Sequence, residues 1–396
     1  MSDASAPGRT PAQDIAAQVE VFVRTVVAPF EKDPRCGPHG PEDGLVHELR
    51  GLARDRGLLT PHILADGTHL SHADTAPILR AAGLSPLGPV AVNVAAPDEG
   101  NMNLLGKVAT SEQKARFLNR LLEGGRSAFL MTEPAEENGA GSDPALMRTF
   151  ARPDGNHWVI SGRKTFITGA QGAGVGIIMA RTDPGDGQGA ATMFLVDLPD
   201  PAVRIERILD TIDSSMPGGH AVVAIEDLRV PADQILGAPH RGFEYAQVRL
   251  APARLTHCMR WLGACTRAHE IATDYACRRQ AFKRRLIEHE GVGFMLADNL
   301  IDLKQSELMI DWAAKVLDSG LHGTSETSMT KVAVSEALSR VADRCVQVMG
   351  ATGVSRETIV EQVYREVRAF RIYDGPSEVH RWSLAKKVDR DWRASQ

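Results

Sequence analysis

The sequence predicts an α+β protein in which a helical N-terminal domain, a middle β domain and a C-terminal helical bundle follow one another. Three observations predict this order. Apolar residues recur at helical spacing before residue 127, short β-type runs broken by Gly, Asp and Pro fill 128–238, and long helical periods return from 239 onward. We therefore predict domains at 1–127, 128–238 and 239–396.

The N-terminal helices are predicted from three stretches in which apolar residues return every three or four positions. These stretches are 15–27, 45–56 and 110–122. Pro and Gly clusters separate them, which is typical of connections between helices.

The middle domain is predicted from four apolar runs with β-type composition, at 158–160, 175–180, 191–196 and 220–225. The residues 154–157, Asp-Gly-Asn-His, indicate a hairpin turn. The glycine-rich stretch 169–176 precedes a strand instead of joining a strand to a helix, so it does not have the pattern of a dinucleotide-binding loop.

The C-terminal bundle is predicted from long periodic stretches at 245–279, 291–318 and 325–350. Each is longer than the mean helix of about 11–12 residues, and long antiparallel helices usually form a bundle. Further on, Asp374-Gly-Pro376 indicates a tight turn between two helices. A carboxylate at such a turn is positioned to project into a cleft.

Composition excludes several function classes. The chain of 396 residues has 45 Lys and Arg against 50 Asp and Glu, a net charge of −5 that argues against a general nucleic-acid binder. No apolar run approaches the ~18–20 residues of a membrane helix, and the N-terminus does not resemble a secretory signal. Five cysteines without a CxxC pair and scattered histidines predict neither a disulfide framework nor a metal site. We therefore expect a cytoplasmic protein without a membrane or nucleic-acid partner.

Two segments point to chemistry. Gly139–Asp143 combines small residues with free backbone N–H groups, which allow close approach of a phosphate or a flat ring. Thr132, Ser142 and Thr168 supply hydroxyls for the edge of a heterocycle. The second segment is the turn that carries Asp374.

Together these segments resemble the acyl-CoA dehydrogenase family over nearly the whole chain. Ala95–Met102 and Asp374–Pro376 are most similar to the branch of family members 10 and 11. The matching motifs are Met131–Pro134 with Gly139–Asp143, Lys164 with Phe166–Thr168, Arg279 with Phe282, Gln347 with Gly350 and Gly353, and Ile372–Arg381. The resemblance implies the fold of that family, a helical domain, a β-barrel-like domain and a four-helix bundle.

The resemblance also implies bound FAD and the residues that hold it. Arg279, Phe282 and His289, together with the segment at Gln347, match positions that reach FAD from a neighbouring subunit, which implies a homodimer or a homotetramer. The full set of implied cofactor-binding residues is Phe129, Met131, Thr132, Gly141, Ser142, Phe166, Thr168, Arg279, Phe282, His289, Gln347, Gly350, Ser377 and Glu378.

For the reaction, the resemblance implies α,β-dehydrogenation of an acyl-CoA. Asp374 matches the general base that takes the α-proton, while the β-hydrogen passes as hydride to flavin N5. Arg254 and Gly375 match substrate-binding positions. The implied electron acceptor is an electron-transfer flavoprotein.

Several positions depart from the family pattern. Asp374 stands where most members have Glu, so its carboxylate is one C–C bond, ~1.5 Å, shorter in reach. Lys283, Glu290, Ala351 and Pro376 replace residues of the FAD-contact motifs. Three alternatives therefore stay open: a flavin-dependent oxidase or monooxygenase, a dehydrogenase of acyl-carrier-protein thioesters, and a catalytically silent subunit of a hetero-oligomer.

Overall fold

The structure is a computed structural model that describes residues 10–64, 67–135, 141, 143, 146–183 and 190–396. Ser142, one of the implied cofactor-binding residues, lies outside the described residues. Within them, no helix is long and apolar enough to cross a membrane.

The N-terminal part is helical, as predicted. Its first helix begins after Thr10, whose hydroxyl accepts from the backbone N–H of Gln13 while the Gln13 side chain accepts from that of Thr10. The helices are α1 (Pro11–Phe22), α2 (Asp43–Arg54), α3 (His72–Ala82), α4 (Gly88–Ala91), α5 (Asp98–Val108), α6 (Ser111–Gln113) and α7 (Asn119–Leu122). A small hairpin of β1 (Cys36–Gly37) and β2 (Gly40–Pro41) lies before α2.

Two predicted helices contain π-helical turns. The prediction at 15–27 corresponds to α1 followed by the π-helical turn Val23–Val27. The prediction at 110–122 corresponds to α6, the π-helical turn Lys114–Leu118 and α7. Helices α3 and α5 have no counterpart in the sequence prediction.

The described residues of the middle part form one curled sheet of seven strands. The strands are β3 (Ser127–Leu130), β4 (Phe150–Asp154), β5 (His157–Thr168), β6 (Val175–Thr182), β7 (Ala190–Asp197), β8 (Val203–Leu209) and β9 (His220–Pro231). The hairpin predicted at 154–157 joins β4 and β5, where Asp154 pairs with His157. β6 pairs with β7 on one side and with β3 and β4 on the other, and the sheet continues through β5 and β9 to β8.

The C-terminal part is the predicted helical bundle. Its helices are α8 (Gly242–Arg278), α9 (Glu290–Asp318), α10 (Thr324–Met349), α11 (Val360–Phe370) and α12 (Ser377–Ala394). α10 packs against α8, α9, α11 and α12. Between α8 and α9, a hairpin of β10 (Gln280–Ala281) and β11 (Arg284–Arg285) carries exposed residues.

The N-terminal helices and the bundle share one hydrophobic core. Leu79 of α3, Leu262 of α8 and Val341 of α10 belong to the same buried cluster. α3 and α8 approach closely because they meet at glycines: a Cβ on Gly83 would lie 2.0 Å from the carbonyl oxygen of Arg260, and one on Gly263 would lie 2.0 Å from that of Arg80. The domain boundaries at 127/128 and 238/239 stay predictions. Residues before 128 and residues after 238 share one core, so the core does not mark either boundary.

A buried glutamate connects the bundle to the β domain. Glu366 of α11 accepts from the backbone N–H of Ser214 at 2.7 Å and from the hydroxyl of Ser215 at 2.7 Å. Burial raises the pKa of Glu366 to about 7, against the two hydrogen bonds, which favour the ionised form. The contact holds the loop before β9 against the helix that leads to Asp374.

We expect Glu366→Gln to stabilise the protein above pH 7 and to leave it nearly unchanged near pH 4.5. The pKa of Glu366 is raised on folding from 4.5 to about 7, so wild-type stability falls as pH rises through that window. The glutamine Oε1 can accept from the Ser214 N–H while its NH₂ group donates to the Ser215 hydroxyl oxygen, so both contacts remain without a charge, and the gain approaches about 3 kcal/mol. Urea unfolding at pH 5 and pH 8 tests this expectation, and an equal gain at both pH values would contradict it.

Candidate active site

Asp374 lies in the turn between α11 and α12, where the sequence predicts it. Its φ is +52°, and that of the next residue, Gly375, is +101°. Asp tolerates the left-handed region better than most residues, and Gly adopts it freely. A Cβ on Gly375 would also lie 2.7 Å from Nε2 of His380. Backbone conformation and packing both require glycine after the aspartate.

Three cationic or polar side chains hold the backbone of this turn. Arg254 Nε donates to the carbonyl oxygen of Asp374 at 3.0 Å, and His380 Nε2 donates to the same oxygen at 3.2 Å. Lys331 Nζ donates to the carbonyl oxygen of Gly375 at 2.7 Å. Arg254, predicted to bind substrate, therefore contacts the backbone of the turn that carries Asp374.

The Asp374 carboxylate lies at the edge of the interior, with its side chain 19% exposed. Its Oδ2 is buried and accepts no hydrogen bond from the described residues. The nearest cationic or potentially cationic group is His257, whose Nε2 lies 3.5 Å from Oδ2. Buried carboxylate oxygens are usually hydrogen-bonded, so this one marks a candidate functional atom.

The surroundings of Asp374 are strongly cationic. Burial lowers the pKa of Arg249, Arg254 and Arg260, and the Asp374 carboxylate offsets part of that effect in each. Burial also lowers the pKa of Lys331 to about 8 and that of His380 to about 4. The site therefore favours an anion near the turn.

Arg249 links Asp374 to the strand that carries the first implied flavin residue. Its guanidinium lies 4.1 Å from the ring centroid of Phe129 on β3, and its Nε donates to Oδ1 of Asn101 at 2.8 Å. Asn101 in turn donates to Ser127 Oγ at the start of β3 at 2.9 Å. Phe129 and Asp374 therefore border the same charged region.

The other implied flavin residues of the β domain are grouped at the bulge in β5. Phe166 has a φ of +54° and is 60% exposed. The Thr132 hydroxyl donates to the carbonyl oxygen of Thr165 at 2.5 Å, and Thr168 Oγ1 lies 2.9 Å from Nδ1 of His220. These contacts leave an apolar ring at the surface beside two oriented hydroxyl groups.

The implied adenosine-side residues lie on the outside of the bundle. Phe282, in the β10–β11 hairpin, is 89% exposed, and His289 contacts the Ala281 carbonyl oxygen at 3.2 Å through Nε2. Arg279, Gln347, Gly350 and Glu378 are exposed, whereas Ser377 is buried at the start of α12. Ser377 and Glu378 directly follow the turn that carries Asp374, whereas Arg279, Phe282 and His289 lie at the connection between α8 and α9.

Sequence reasoning missed five residues of the site: Arg249, His257, Arg260, Lys331 and His380. On α8 the signal is visible in retrospect, because Arg249, His257 and Arg260 are spaced at i, i+8 and i+11 and share a helix face. Across the described part of the chain, no group of three His, Cys, Asp or Glu side chains could hold a metal ion.

Comparison with family models gives two matches. The model "Acyl-CoA dehydrogenase, C-terminal domain" matches residues 240–388, and "Acyl-CoA dehydrogenase, middle domain" matches residues 128–217. The two matches cover the bundle with Asp374 and most of the sheet with Phe129 and Phe166.

Curated relatives agree with the family models. The chain is 38% identical over 351 residues to Probable acyl-CoA dehydrogenase FadE2 of Mycobacterium tuberculosis, covering 86% of this chain and 85% of that protein. It is 34% identical over 391 residues to acyl-CoA dehydrogenase family member 11 of Gallus gallus, covering 94% of this chain. The chain spans only 50% of the length of that relative.

A solved structure described as an acyl-CoA dehydrogenase from Mycobacterium abscessus has a TM-score of 0.88 at 33% identity and covers 98% of this chain and 100% of that chain. The fold predicted from the sequence is confirmed, and so is the resemblance to the branch of family members 10 and 11. The motifs around Asp374, the two family models and these relatives lead to one conclusion: the chain belongs to the acyl-CoA dehydrogenase family.

Proposed function

We propose that this chain catalyses FAD-dependent α,β-dehydrogenation of an acyl-CoA thioester, with Asp374 as the general base. One observation carries the proposal: neither carboxylate oxygen of Asp374 accepts a hydrogen bond from the described residues, although its turn is held at two carbonyls. A carboxylate with only a structural role would use its oxygens for hydrogen bonds. A general base needs an uncommitted lone pair within reach of the proton.

FAD is the cofactor of the family, and the residues present fit it. The exposed ring of Phe166 beside the hydroxyls of Thr132 and Thr168 suits a flat heterocycle with polar edges. Met131 and Phe129 on the neighbouring strand would line the same ring. The chemistry that FAD supplies when bound is acceptance of the β-hydrogen with its electron pair.

The turn itself supplies the groups that the thioester needs. The backbone N–H of Asp374 donates to no other described residue, so it is free to donate to the thioester oxygen as negative charge develops there. The carbonyls of Asp374 and Gly375 are already bound by Arg254 and Lys331, which holds the backbone that follows this N–H in place. Asp374 takes the α-proton and becomes a carboxylic acid. The α,β-unsaturated thioester results only when the β-hydrogen also leaves with its electron pair, which bound FAD would accept.

The fate of the reduced cofactor and the assembly belong to the same proposal. We infer that an electron-transfer flavoprotein reoxidises the enzyme and that the chain forms a homodimer or a homotetramer in the cytoplasm. Exposed apolar side chains on the bundle support an assembly, because they would be covered only by another chain. They include Phe282, Phe294, Leu308, Trp382 and Trp392.

The direct test is a visible absorption spectrum after incubation with FAD and desalting, followed by anaerobic mixing with a panel of acyl-CoAs. We expect about one flavin per chain and bleaching by at least one thioester. A colourless protein would favour the silent subunit. Oxygen consumption by the reduced protein at the rate of turnover would favour an oxidase or monooxygenase. Bleaching only by acyl-carrier-protein thioesters would show that the substrate is carried by acyl carrier protein and not by CoA.

Phe282→Ala is expected to weaken both assembly and FAD retention, because the implied adenosine site is completed by a neighbouring chain. Covering one phenylalanine contributes about 1.5–3 kcal/mol, so subunit dissociation should become roughly ten- to hundredfold easier. Sedimentation velocity and flavin content measure the two effects. Phe166→Ala is the matched control: it should lower flavin content without altering sedimentation. If the two variants changed sedimentation and flavin content equally, this would contradict the proposal that a neighbouring chain completes the FAD site at Phe282.

A further inference from the structure

We propose that His257 is a positioning residue for Asp374: Arg260 fixes the tautomer of the imidazole, so that the ring nitrogen 3.5 Å from Oδ2 of the carboxylate is the one that carries the proton. This inference rests on the proposed role of Asp374 as a base and adds the group that orients that base. It is carried by the contacts of His257 on both sides of its ring.

The tautomer follows from the chemistry of arginine. Arg260 Nη2 lies 3.1 Å from Nδ1 of His257. A guanidinium has only donors, so Nδ1 must be the acceptor and carries no proton. The single proton of the neutral ring is then on Nε2, the nitrogen that lies 3.5 Å from Asp374 Oδ2. The contact between His257 and Asp374 is therefore between a donor and a carboxylate.

The ring is held neutral and in place. Burial, together with the charges of Arg260, Arg249 and Lys331, lowers the pKa of His257 well below its usual value. The His257 ring centroid lies 4.8 Å from that of Tyr373, the residue before the base. The Nε2–H donor is thus present at every pH at which the protein would work.

Arg260 is itself anchored from the N-terminal helices. Its Nη1 donates to the carbonyl oxygen of Val94 at 2.9 Å and lies 3.6 Å from Oε2 of Glu99 on α5. Glu99 also accepts from the hydroxyl of Thr256 at 2.7 Å. A chain of contacts therefore runs from α5 through Arg260 and His257 to the turn at Asp374.

This arrangement assigns different tasks to the two carboxylate oxygens. Oδ2 is buried and faces the imidazole donor, which leaves Oδ1 to face the substrate. His257 does not touch the reacting atoms, so its effect is on the orientation of Asp374.

Other charged groups act on Asp374 and are kept unchanged in the test. They are Arg249, Arg254 and Arg260 on α8, Lys331 on α10, His380 on α12 and Glu99 on α5.

The test uses His257→Gln and His257→Asn, two neutral amides of different length, with His257→Leu as an apolar variant. The glutamine amide reaches the position of Nε2 and keeps a donor toward Asp374, whereas the asparagine amide reaches only the position of Nδ1. The readout is the limiting rate constant of anaerobic flavin bleaching by the acyl-CoA that wild type takes fastest, together with the thioester concentration at half-saturation. Because a rate constant does not depend on the amount of active protein, a smaller folded fraction does not change it.

We expect His257→Gln to keep the limiting rate constant of wild type within about threefold, and His257→Asn and His257→Leu to lower it at least about tenfold with little change in half-saturation, because only these two lose the donor beside Oδ2. Unchanged limiting rate constants in His257→Asn and His257→Leu, or an equal loss in His257→Gln, would overturn the proposal while leaving the base role of Asp374 intact. A wild type that no thioester bleaches would instead overturn the base role and the proposal with it.

Neutron diffraction from deuterated crystals of the wild-type protein gives a readout independent of substrate. Deuterium on Nε2 alone, pointing to Asp374, supports the proposal. Deuterium on Nδ1 would overturn it whatever the activity of the protein.

Discussion

Asp374→Asn is expected to abolish α,β-dehydrogenation while leaving the fold and FAD binding unchanged. Asn tolerates the left-handed conformation of this position, φ +52°, as well as Asp does, and its volume is nearly the same. Its amide cannot take a proton from the α-carbon. Loss of a general base typically costs 10²–10⁴-fold, so no bleaching above the slowest detectable rate is expected.

Anaerobic stopped-flow bleaching by an acyl-CoA that reduces the wild-type protein measures this loss. The matched control is Asp389→Asn, which removes an exposed carboxylate of α12 paired with Arg393 and should leave the rate unchanged. Flavin content verifies that the Asp374 variant retains its cofactor. Turnover by Asp374→Asn within tenfold of wild type would show that another group takes the proton.

The second large effect is expected on stability, from Glu133→Gln. Lys164 is fully buried and its Nζ lies 3.0 Å from Glu133 Oε1, while Glu133 also accepts from the backbone N–H groups of Arg148 and Thr149 at 2.7 and 2.8 Å. A glutamine has one acceptor oxygen in place of two, so its NH₂ group would face donors. It would also leave a buried ammonium without a counter-charge.

Removing one partner of a buried ion pair costs about 3–5 kcal/mol, and we expect a loss of that size in urea unfolding of Glu133→Gln. Glu206→Gln is the matched control, because it breaks the more exposed pair with Arg163 on the same strand, for which a loss of 0–1 kcal/mol is typical. Equal losses of unfolding free energy in the two variants would contradict the expectation that burial makes the Glu133–Lys164 pair more costly to break. Because Glu133 precedes the segment 134–147 and bonds the two residues that follow it, flavin retention should fall as well.

The order of the domains and the identity of the base could be predicted from the sequence because both depend on local patterns. In the regions of α8, α9 and α10, apolar residues keep helical spacing over a stretch too long to be read as a strand. Asp374-Gly-Pro is read as a turn because its glycine and proline restrict the backbone directly. The family motifs around Phe129, Phe166 and Phe282 are also short and contiguous, so they can be recognised in the sequence alone.

Helix α5 could not be predicted, and its burial explains why. Residues 98–105 are all buried, between α8 and the sheet, so the helix has no exposed face over that stretch and its polar residues do not mark one. A helix covered on all sides loses the alternation on which sequence reasoning depends. α3 was missed for a related reason, since Pro77 lies within it and breaks the usual helix signal.

The sequence by itself determined the fold class, the family and the turn with Asp374, because those properties reside in residues adjacent along the chain. Only the tertiary structure decided which side chains surround the carboxylate. Glu99, His257 and Asp374 are separated by more than 100 residues at each step, and they meet only because α5, α8 and the α11–α12 turn pack together. The direction of each donor in this cluster is a property of that packing, which no local pattern records.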